Sequence, residues 1–316
     1  MTRETVLQQL KRHLFTHGFT YQDFSGSNSS FDLIARKQNL VLVLKALSNI
    51  DSLRIEHARD LQKIGSVFRA HSLIIGEKSK VYQLHADVLY ERYGLPVLSL
   101  VGFEQLLESN LPSQRSFKGQ NVVELDTELL RRQREAHALT LKDLSQRAGI
   151  SLESLHRYEH GQPAQLEAAE KLERLLDVRL IRGINVFHSD EKPLTEESTG
   201  AHHSVLDQLL DLGLKLSVFE RAPLNAATKE HALMISHADT PSHIAKKAYS
   251  LEKAQKITHY PGLIIANESK HLAIGRVPIL QEGELSTFSD AGDLLQELEN
   301  RRRARKHGKK ENGPQE

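Results

Sequence analysis

The sequence predicts a mixed fold in which an all-α module lies between two α/β regions. Residues 1–111 alternate helix-like and strand-like stretches, residues 126–183 show only helical spacing of apolar side chains, and residues 204–300 return to the alternating order. Alternation indicates helices layered on a sheet, whereas purely helical spacing indicates a bundle. With 316 residues, the chain is long enough for two or three domains.

The first region opens with a helix, because Leu7, Leu10 and Leu14 recur at helical spacing. Strand-like runs at 31–35 and 40–44 then predict two strands joined by a polar turn. A helical stretch, two short strands and a closing helix complete the region. We expect the polar stretches 112–121 and 188–203 to be linkers on either side of the helical module.

The third region resembles a second copy of the first. Residues 57–80 align without gaps on residues 247–270, and eight of the 24 aligned positions are identical. Chance agreement between two helix–strand units is the alternative. Identical residues on both the helix and the strand favour a true duplication with the helical module inserted between the copies.

The composition limits the classes of function. A chain without cysteine has no disulfides, no thiolate metal sites and no cysteine nucleophile. The 17 histidines form no convincing ligand cluster, so we expect no metal and no cofactor. The polar start of the chain is unlike a signal peptide, and no apolar run approaches the ~18–20 residues that cross a bilayer. We therefore expect a cytoplasmic protein that does not contact membranes.

The helical module has the signals of two short helices joined by a tight turn. Thr140 is a helix N-cap, and Asp143 three residues later can return its hydrogen bond. Gly149 stands where the turn needs a positive φ angle, and Ser151 is the next N-cap. Such a unit places its second helix in the DNA major groove, although a helical hairpin used only for packing has the same outline.

The segment resembles the Cro/C1 (XRE) family of helix-turn-helix proteins over roughly 55 residues. The matching residues are Leu130-Arg131, Arg134-Glu135, Leu139-Thr140, Asp143-Leu144, Ala148-Gly149-Ile150-Ser151, Tyr158-Glu159 and Gly161. The resemblance implies DNA binding and an internal ion pair between Arg134 and Glu159. Three positions depart from the family pattern: Gln133, Ala138 and Leu141.

The residues expected to contact DNA lie at the starts of the two helices and along the outer side of the second. They are Thr140, Ser151, Leu152, Glu153, Ser154, His156 and Arg157. For each one, a solvated surface position is the alternative. The net charge of the chain is only +1, so any positive potential for DNA must be local.

The first region resembles the PD-(D/E)xK, or restriction-endonuclease-like, fold. Asp32 and Lys45 match the metal-binding aspartate and the lysine of that family, but Val43 stands where a second carboxylate belongs. One carboxylate is a poor magnesium site, so we expect a nuclease-like scaffold without enzyme activity. In the third region Asn225 occupies the approximate place of Asp32.

The order of parts resembles an archaeal family of HTH-type transcriptional regulators. We expect a sequence-specific regulator that binds double-stranded DNA as a homodimer and reads the major groove with residues 151–158. The alternatives are a metal-dependent nuclease that uses Asp32 and Lys45, or an antitoxin-like module that binds DNA and a protein. Residues 301–316 form a basic end, with seven Lys or Arg among 301–310, and we expect it to be disordered.

Overall fold

The computed structural model describes residues 1–26, 29–117, 119–187 and 204–308 of the chain. The α-helices in this part are α1 (Arg3–Thr16), α2 (Ile55–Phe68), α3 (Leu100–Leu107), α4 (Thr127–Ala136), α5 (Leu141–Ala148), α6 (Leu152–Glu159), α7 (Leu166–Leu176), α8 (Ser204–Asp211), α9 (Pro241–Thr258) and α10 (Ala291–Gly308).

The strands before the helix-turn-helix segment are β1 (Thr20–Asp23), β2 (Leu33–Lys37), β3 (Leu40–Asn49), β4 (His71–Lys78), β5 (Val88–Arg92), β6 (Leu95–Ser99), β7 (Gln114–Phe117) and β8 (Gln120–Leu125). The later strands are β9 (Ala164–Gln165), β10 (Ile181–Arg182), β11 (Ser217–Val218), β12 (Ala226–Thr228), β13 (Leu233–Ala238), β14 (Gly262–Ala266), β15 (Ala273–Ile274) and β16 (Val277–Gln281).

The chain divides into two compact units. The first contains the described residues within 1–13, 46–52 and 73–192, and the second contains those within 14–45, 53–72 and 193–316. Strand β3 contributes its first residues to the second unit and its last residues to the first unit. Long-range pairing therefore groups the chain differently from its order in sequence.

The first unit joins a sheet to the four helices α4 to α7. Its strands are ordered β3-β4-β6-β5-β7-β8-β10, and β9 pairs with β8. Strands β4 and β6 are parallel, whereas β7 and β8 form an antiparallel hairpin. The centre of β4 is apolar and fully buried at Leu73, Ile74 and Ile75, as expected for a strand covered on both faces.

The second unit contains the antiparallel set β1-β2-β3 and a six-stranded sheet of order β11-β12-β13-β14-β16-β15. In the six-stranded sheet β13, β14 and β16 are parallel, and the remaining pairings are antiparallel. Leu263 and Ile265 of β14 pack with Leu209 of α8 and Leu294 of α10 in one apolar core. Apolar runs of this kind predict buried strands, and the structure agrees.

Three expectations differ from the structure. The stretch 112–121 is not a plain linker, because β7 and the start of β8 lie in it. The module at 126–183 is not purely helical, because β9 and β10 within it pair with β8. Strand pairing joins residues far apart in sequence, and two- to six-residue strands give too short a periodicity to detect.

The basic end was expected to be disordered from residue 301, yet α10 continues to Gly308. Contacts of Arg301 account for the helical start of the basic segment. Its Nε donates to Glu297 Oε1 at 2.7 Å, and its guanidinium also pairs with Glu284. These contacts neutralise the first positive charge and attach the helix to the protein. Residues 309–316, and the predicted linker from residue 188 to 203, lie outside the described residues.

Candidate nucleic-acid interface

The helix-turn-helix segment folds around its own apolar core. Leu144 of α5 and Leu155 of α6 are fully buried in one cluster with Leu130 of α4 and Leu172 of α7. Val123 of β8 enters the same cluster. Because each helix contributes a buried side chain, packing on the inner face of α6 holds this helix in one orientation.

The turn between α5 and α6 is set by local interactions. Thr140 begins α5 with a capping box, in which its Oγ1 accepts from the N–H of Asp143 at 3.1 Å and Asp143 Oδ2 accepts from the N–H of Thr140 at 3.0 Å. Gly149 follows α5 with a φ angle of 64°, a left-handed conformation that favours glycine. Both features agree with the sequence prediction.

Sequence reasoning missed Ser145, whose Oγ donates to the carbonyl of Ile150 at 2.6 Å and ties the end of α5 to the turn. The only signal was a small hydroxyl residue in the last turn of a short helix, a position that propensity alone disfavours.

Helix α6 separates an inner and an outer face. Leu155 and Tyr158 are buried, as predicted. Leu152, Glu153 and Arg157 are exposed on the other side. About half of the surface of Leu152 is open to solvent, so this face of α6 offers one apolar side chain beside its charged ones.

The hydroxyl groups that were predicted to contact DNA form hydrogen bonds in helix caps. Ser151 Oγ accepts from the N–H of Ser154 at 3.1 Å and donates to Ser154 Oγ at 2.8 Å. Thr140 Oγ1 donates to Asp143 Oδ2 at 2.6 Å. Ser154 is half-buried and keeps the proton of its hydroxyl as a donor, whereas Thr140 and Ser151 keep acceptor capacity only.

His156 has a partner that sequence reasoning did not anticipate. Its ring stacks on the ring of His160, with 4.2 Å between the centroids and 25° between the planes. His160 Nδ1 lies 2.7 Å from the carbonyl oxygen of His156, so the second ring is held at the end of α6. The spacing of four residues on one helix was visible in the sequence and could have indicated the contact.

Arg134 and Glu159 form the internal ion pair that the family resemblance implied. The Nε of Arg134 donates to Oε1 of Glu159 at 2.7 Å, and Nη2 donates to Oε2 at 3.3 Å. Arg134 Nη1 also donates to the carbonyl of Leu139 at 3.0 Å. Donating to the Glu159 carboxylate raises the pKa of the Arg134 guanidinium, so Arg134 stays charged. It joins α4 to the end of α6 and has no free carboxylate oxygen for DNA.

The outer surface of the module is mixed in charge, because residues 126–182 include ten basic and ten acidic side chains. The acids are not equally available, since Glu159 is buried and Asp143 is used in the capping box. Lys142 and Arg147 of α5 and Arg157 of α6 are exposed. Basic side chains are engaged as well, since Arg134 pairs with Glu159 and Arg182 pairs with Asp126. The surface of the module therefore stays mixed in charge, with exposed basic side chains on both α5 and α6.

The second unit contains the nuclease-like residues. Asp32 is fully buried just before β2, and Lys45 Nζ lies 3.4 Å from its Oδ1 and donates to the carbonyl of Ser29 at 2.6 Å. Val43, also fully buried, pairs with Ile34 and supplies no carboxylate. One carboxylate engaged by a lysine does not fit a divalent metal, which prefers several oxygen ligands.

His57 of α2 lies in the same region, and its Nε2 is buried without a hydrogen-bond partner among the described residues. Burial lowers the pKa of His57, and the positive charges of Lys45, Arg54 and Arg221 lower it further. A neutral, buried imidazole beside a buried lysine was not predicted from the sequence. Most buried polar groups have a hydrogen-bond partner, so the unpartnered Nε2 of His57 is an exception among the described residues.

In the six-stranded sheet, Asn225 lies directly before β12, as Asp32 lies directly before β2. Its N–H donates to the carbonyl of Ile235 at 3.0 Å, and its Oδ1 accepts from Lys247 Nζ at 3.1 Å. Burial lowers the pKa of Lys247. Here an amide has replaced the carboxylate, so this position also lacks the negative charge that a metal needs.

Comparison with known proteins finds two families along the chain. The family described as "PD-(D/E)XK superfamily domain" matches residues 3–112, and the family described as "Helix-turn-helix" matches residues 130–181. These matches confirm the two resemblances read from the sequence. No solved structure matches the chain.

Three relatives share the name "Putative HTH-type transcriptional regulatory protein". The chain is 30% identical over 307 residues to the relative from Pyrococcus furiosus, and the alignment covers 94% of this chain and 97% of the relative. It is 31% identical over 304 residues to the one from Thermococcus kodakarensis, with coverage of 94% and 95%. It is 30% identical over 270 residues to the one from Archaeoglobus fulgidus, with coverage of 84% and 87%.

Two structural observations accompany these matches. Within the described ranges, no helix combines the length and the apolar character needed to cross a bilayer. In that same part of the chain, no three His, Asp or Glu side chains are grouped as metal ligands would be.

Proposed function

This chain belongs to the archaeal family of "putative HTH-type transcriptional regulatory proteins", and we propose that it regulates transcription by binding double-stranded DNA sequence-specifically. The observation that carries the proposal is the outer face of α6, where Leu152, Glu153, His156 and Arg157 are exposed while the inner face is buried. The major groove, about 12 Å wide, accepts one such helix.

Each exposed side chain has a chemistry suited to the groove. Arg157 would donate to guanine or to a phosphate, and Glu153 would accept from the amino group of cytosine. Leu152 would cover the methyl group of thymine, and Ser154 would donate its free hydroxyl proton to a base. Thr140, at the start of α5, would place that helix N-terminus against a phosphate.

The test is selection of a binding site from random duplexes, followed by a gel shift with the double variant Ser154→Ala/Arg157→Ala. Loss of one good base contact costs about 1–3 kcal/mol, so the affinity should fall by about 5- to 150-fold. Arg174→Ala on α7 is the matched control, because it removes the same charge from an exposed helical position. Equal affinity of the double variant and the control would refute the assignment of α6 as the reading helix.

We also propose that the regulator binds as a homodimer. One eight-residue helix contacts few base pairs, and a second copy adds a half-site about 34–36 Å away on the same side of the duplex. Light scattering of the protein–DNA complex should give two chains per duplex, and a single half-site should bind more weakly. One chain per operator at saturation would contradict this.

The helix-turn-helix segment, in this proposal, stands between two related α/β copies. The set β1-β2-β3 together with β3-β4-β6-β5 has the same order as β11-β12-β13-β14-β16-β15. The registers correspond as well, since the parallel pair Ile74 and Val97 is matched by Ile264 and Ile279. Residues Arg69 and His259, at aligned positions after α2 and α9, both have left-handed backbones.

We propose that the nuclease-like copy has no hydrolytic activity, because Asp32 has Lys45 as its partner and Val43 supplies no second ligand. Supercoiled DNA incubated with the protein and Mg²⁺ or Mn²⁺ should remain intact, while a restriction endonuclease in a parallel reaction cuts it. Metal-dependent cleavage that disappears in Asp32→Asn would overturn this conclusion.

A further inference from the structure

Within the second unit, two sets of elements contact each other through equivalent residues. The first set is β1, β2 and α2, and the second set is β11, β12 and α9. Lys63 of α2 and Lys253 of α9 are aligned and identical in the sequence repeat. Strand pairing makes Asp23 and Val218 equivalent, because they pair with the residues that directly follow Asp32 and Asn225.

These four residues make a reciprocal pair of hydrogen bonds. Lys63 Nζ donates to the carbonyl of Val218 at 3.0 Å. Lys253 Nζ donates to the carbonyl of Asp23. Each helix thus uses the same lysine to bind the same strand end of the other set. Reciprocity of this kind is the defining property of an isologous interface between two copies of one domain.

A second reciprocal position lies one turn further along each helix. The carbonyl of Val67 in α2 accepts from the hydroxyl of Tyr260 at 3.0 Å. The carbonyl of the aligned Ile257 in α9 accepts from Arg36 Nη1 at 2.7 Å. The donors differ in type: Arg36 belongs to β2 of the first set, and Tyr260 lies just after α9 of the second set. Both bind the carbonyl of the equivalent residue near the C-terminal end of the opposite helix.

We propose that the two sets form an intramolecular pseudo-dimer. The face of the nuclease-like copy that would otherwise be open to another chain is covered by the second α/β copy of the same chain. This inference rests on the duplication proposed above. It means that homodimers on DNA form through a different surface, since this face is already buried inside each chain.

The pairing is not symmetric everywhere, and the difference affects the nuclease-like site. The buried Asp60 of α2 accepts from the N–H groups of Glu220 and Arg221 at 3.1 and 2.7 Å, whereas its aligned residue in α9 is Ser250. The N–H of Ser30 donates to the carbonyl of Arg221 at 2.9 Å. The loop after β11 therefore lies beside the segment that leads to Asp32.

The experiment replaces each lysine by methionine, which keeps the apolar stem and removes the donor. Lys63→Met and Lys253→Met should both lower the urea midpoint of the full chain. Lys253→Met should lower it more, because Nζ of Lys253 also lies 4.8 Å from the ring centre of Phe24. The matched control is Lys246→Met, at an exposed position of α9, which should leave the midpoint unchanged.

A second measurement uses the absence of natural cysteine. Spin labels at Arg59→Cys and Ser217→Cys report one contact, and labels at Tyr249→Cys and Gln22→Cys report the equivalent contact. The two distances should agree and should persist when labelled protein is diluted with excess unlabelled chain. Unequal distances, loss of the signal on dilution, or a neutral effect of either lysine variant would overturn the pseudo-dimer.

Operator binding by the same variants separates this inference from the proposed function. The substituted residues lie outside the helix-turn-helix segment, so the affinity per folded chain should equal that of the wild type. If no operator binds the wild-type protein, the proposed function fails while the stability and distance results still decide the pairing.

Discussion

Removal of the Arg134–Glu159 ion pair should be more harmful when one partner is changed than when both are changed. Only 12% of the Arg134 side chain and 4% of the Glu159 side chain are exposed, so water can replace neither partner. Breaking a buried pair on one side costs about 3–5 kcal/mol, because the remaining charge keeps its desolvation cost without its partner.

For Glu159→Gln we expect the lower end of that range, about 3 kcal/mol, because the amide oxygen and the carbonyl of Leu139 still accept from the guanidinium. Arg134→Met leaves the carboxylate with Arg131, whose Nε is 3.8 Å from Oε2, and we expect a loss of similar size. The double variant Arg134→Met/Glu159→Leu replaces both charges by apolar groups and should lie within about 2 kcal/mol of the wild type.

The assay is hydrogen exchange of the full chain, read by mass spectrometry on peptides from α4 and α6. Exchange gives the free energy of local opening, so the two units need not unfold together. The double-mutant cycle then gives the coupling energy of the pair. If the two single losses simply add in the double variant, the two side chains do not act as a buried pair and the reasoning is refuted.

Three further outcomes are expected. Gly149→Ala should destabilise the module by about 1 kcal/mol and Ala138→Gly should stabilise it by up to about 1 kcal/mol, because both positions have positive φ. Shifts of the urea midpoint in the same direction for both variants would contradict this. Thr140→Ala should lower the free energy of unfolding by about 1 kcal/mol, because the capping box is lost. A gel shift with fully folded protein then isolates the DNA contact, because only a hydroxyl that touches DNA lowers the affinity of the folded variant. Burial lowers the pKa of His57 below its ordinary value of 6.5, so the unfolded chain binds a proton at this residue before the folded chain does. The free energy of unfolding should therefore fall as the pH drops from about 6.5 through the folded-state pKa. His57→Gln should flatten this part of the plot of urea midpoint against pH, and an unchanged slope would exclude His57 as the cause.

Local signals predicted the centre of the candidate site well. The capping box of Thr140 and Asp143, the left-handed Gly149 and the inward Leu155 depend on residues within one or two helical turns, and their spacing was visible in the sequence. The pair of Arg134 and Glu159 joins residues 25 positions apart, and only the family resemblance indicated it. Periodicity alone contains no information about such a pair.

The amino-acid sequence was sufficient to predict the two domain types, the starts of α5 and α6 in the helix-turn-helix segment, and the missing carboxylate at Val43. These properties depend on side-chain type and short spacing, which a linear chain displays directly. Three features became visible in the folded chain alone: β7 forms in the expected linker, Lys45 engages Asp32, and Lys63 and Lys253 each bind the opposite copy. Those contacts depend on which distant backbone groups packing brings within hydrogen-bond distance, and no local pattern specifies that choice.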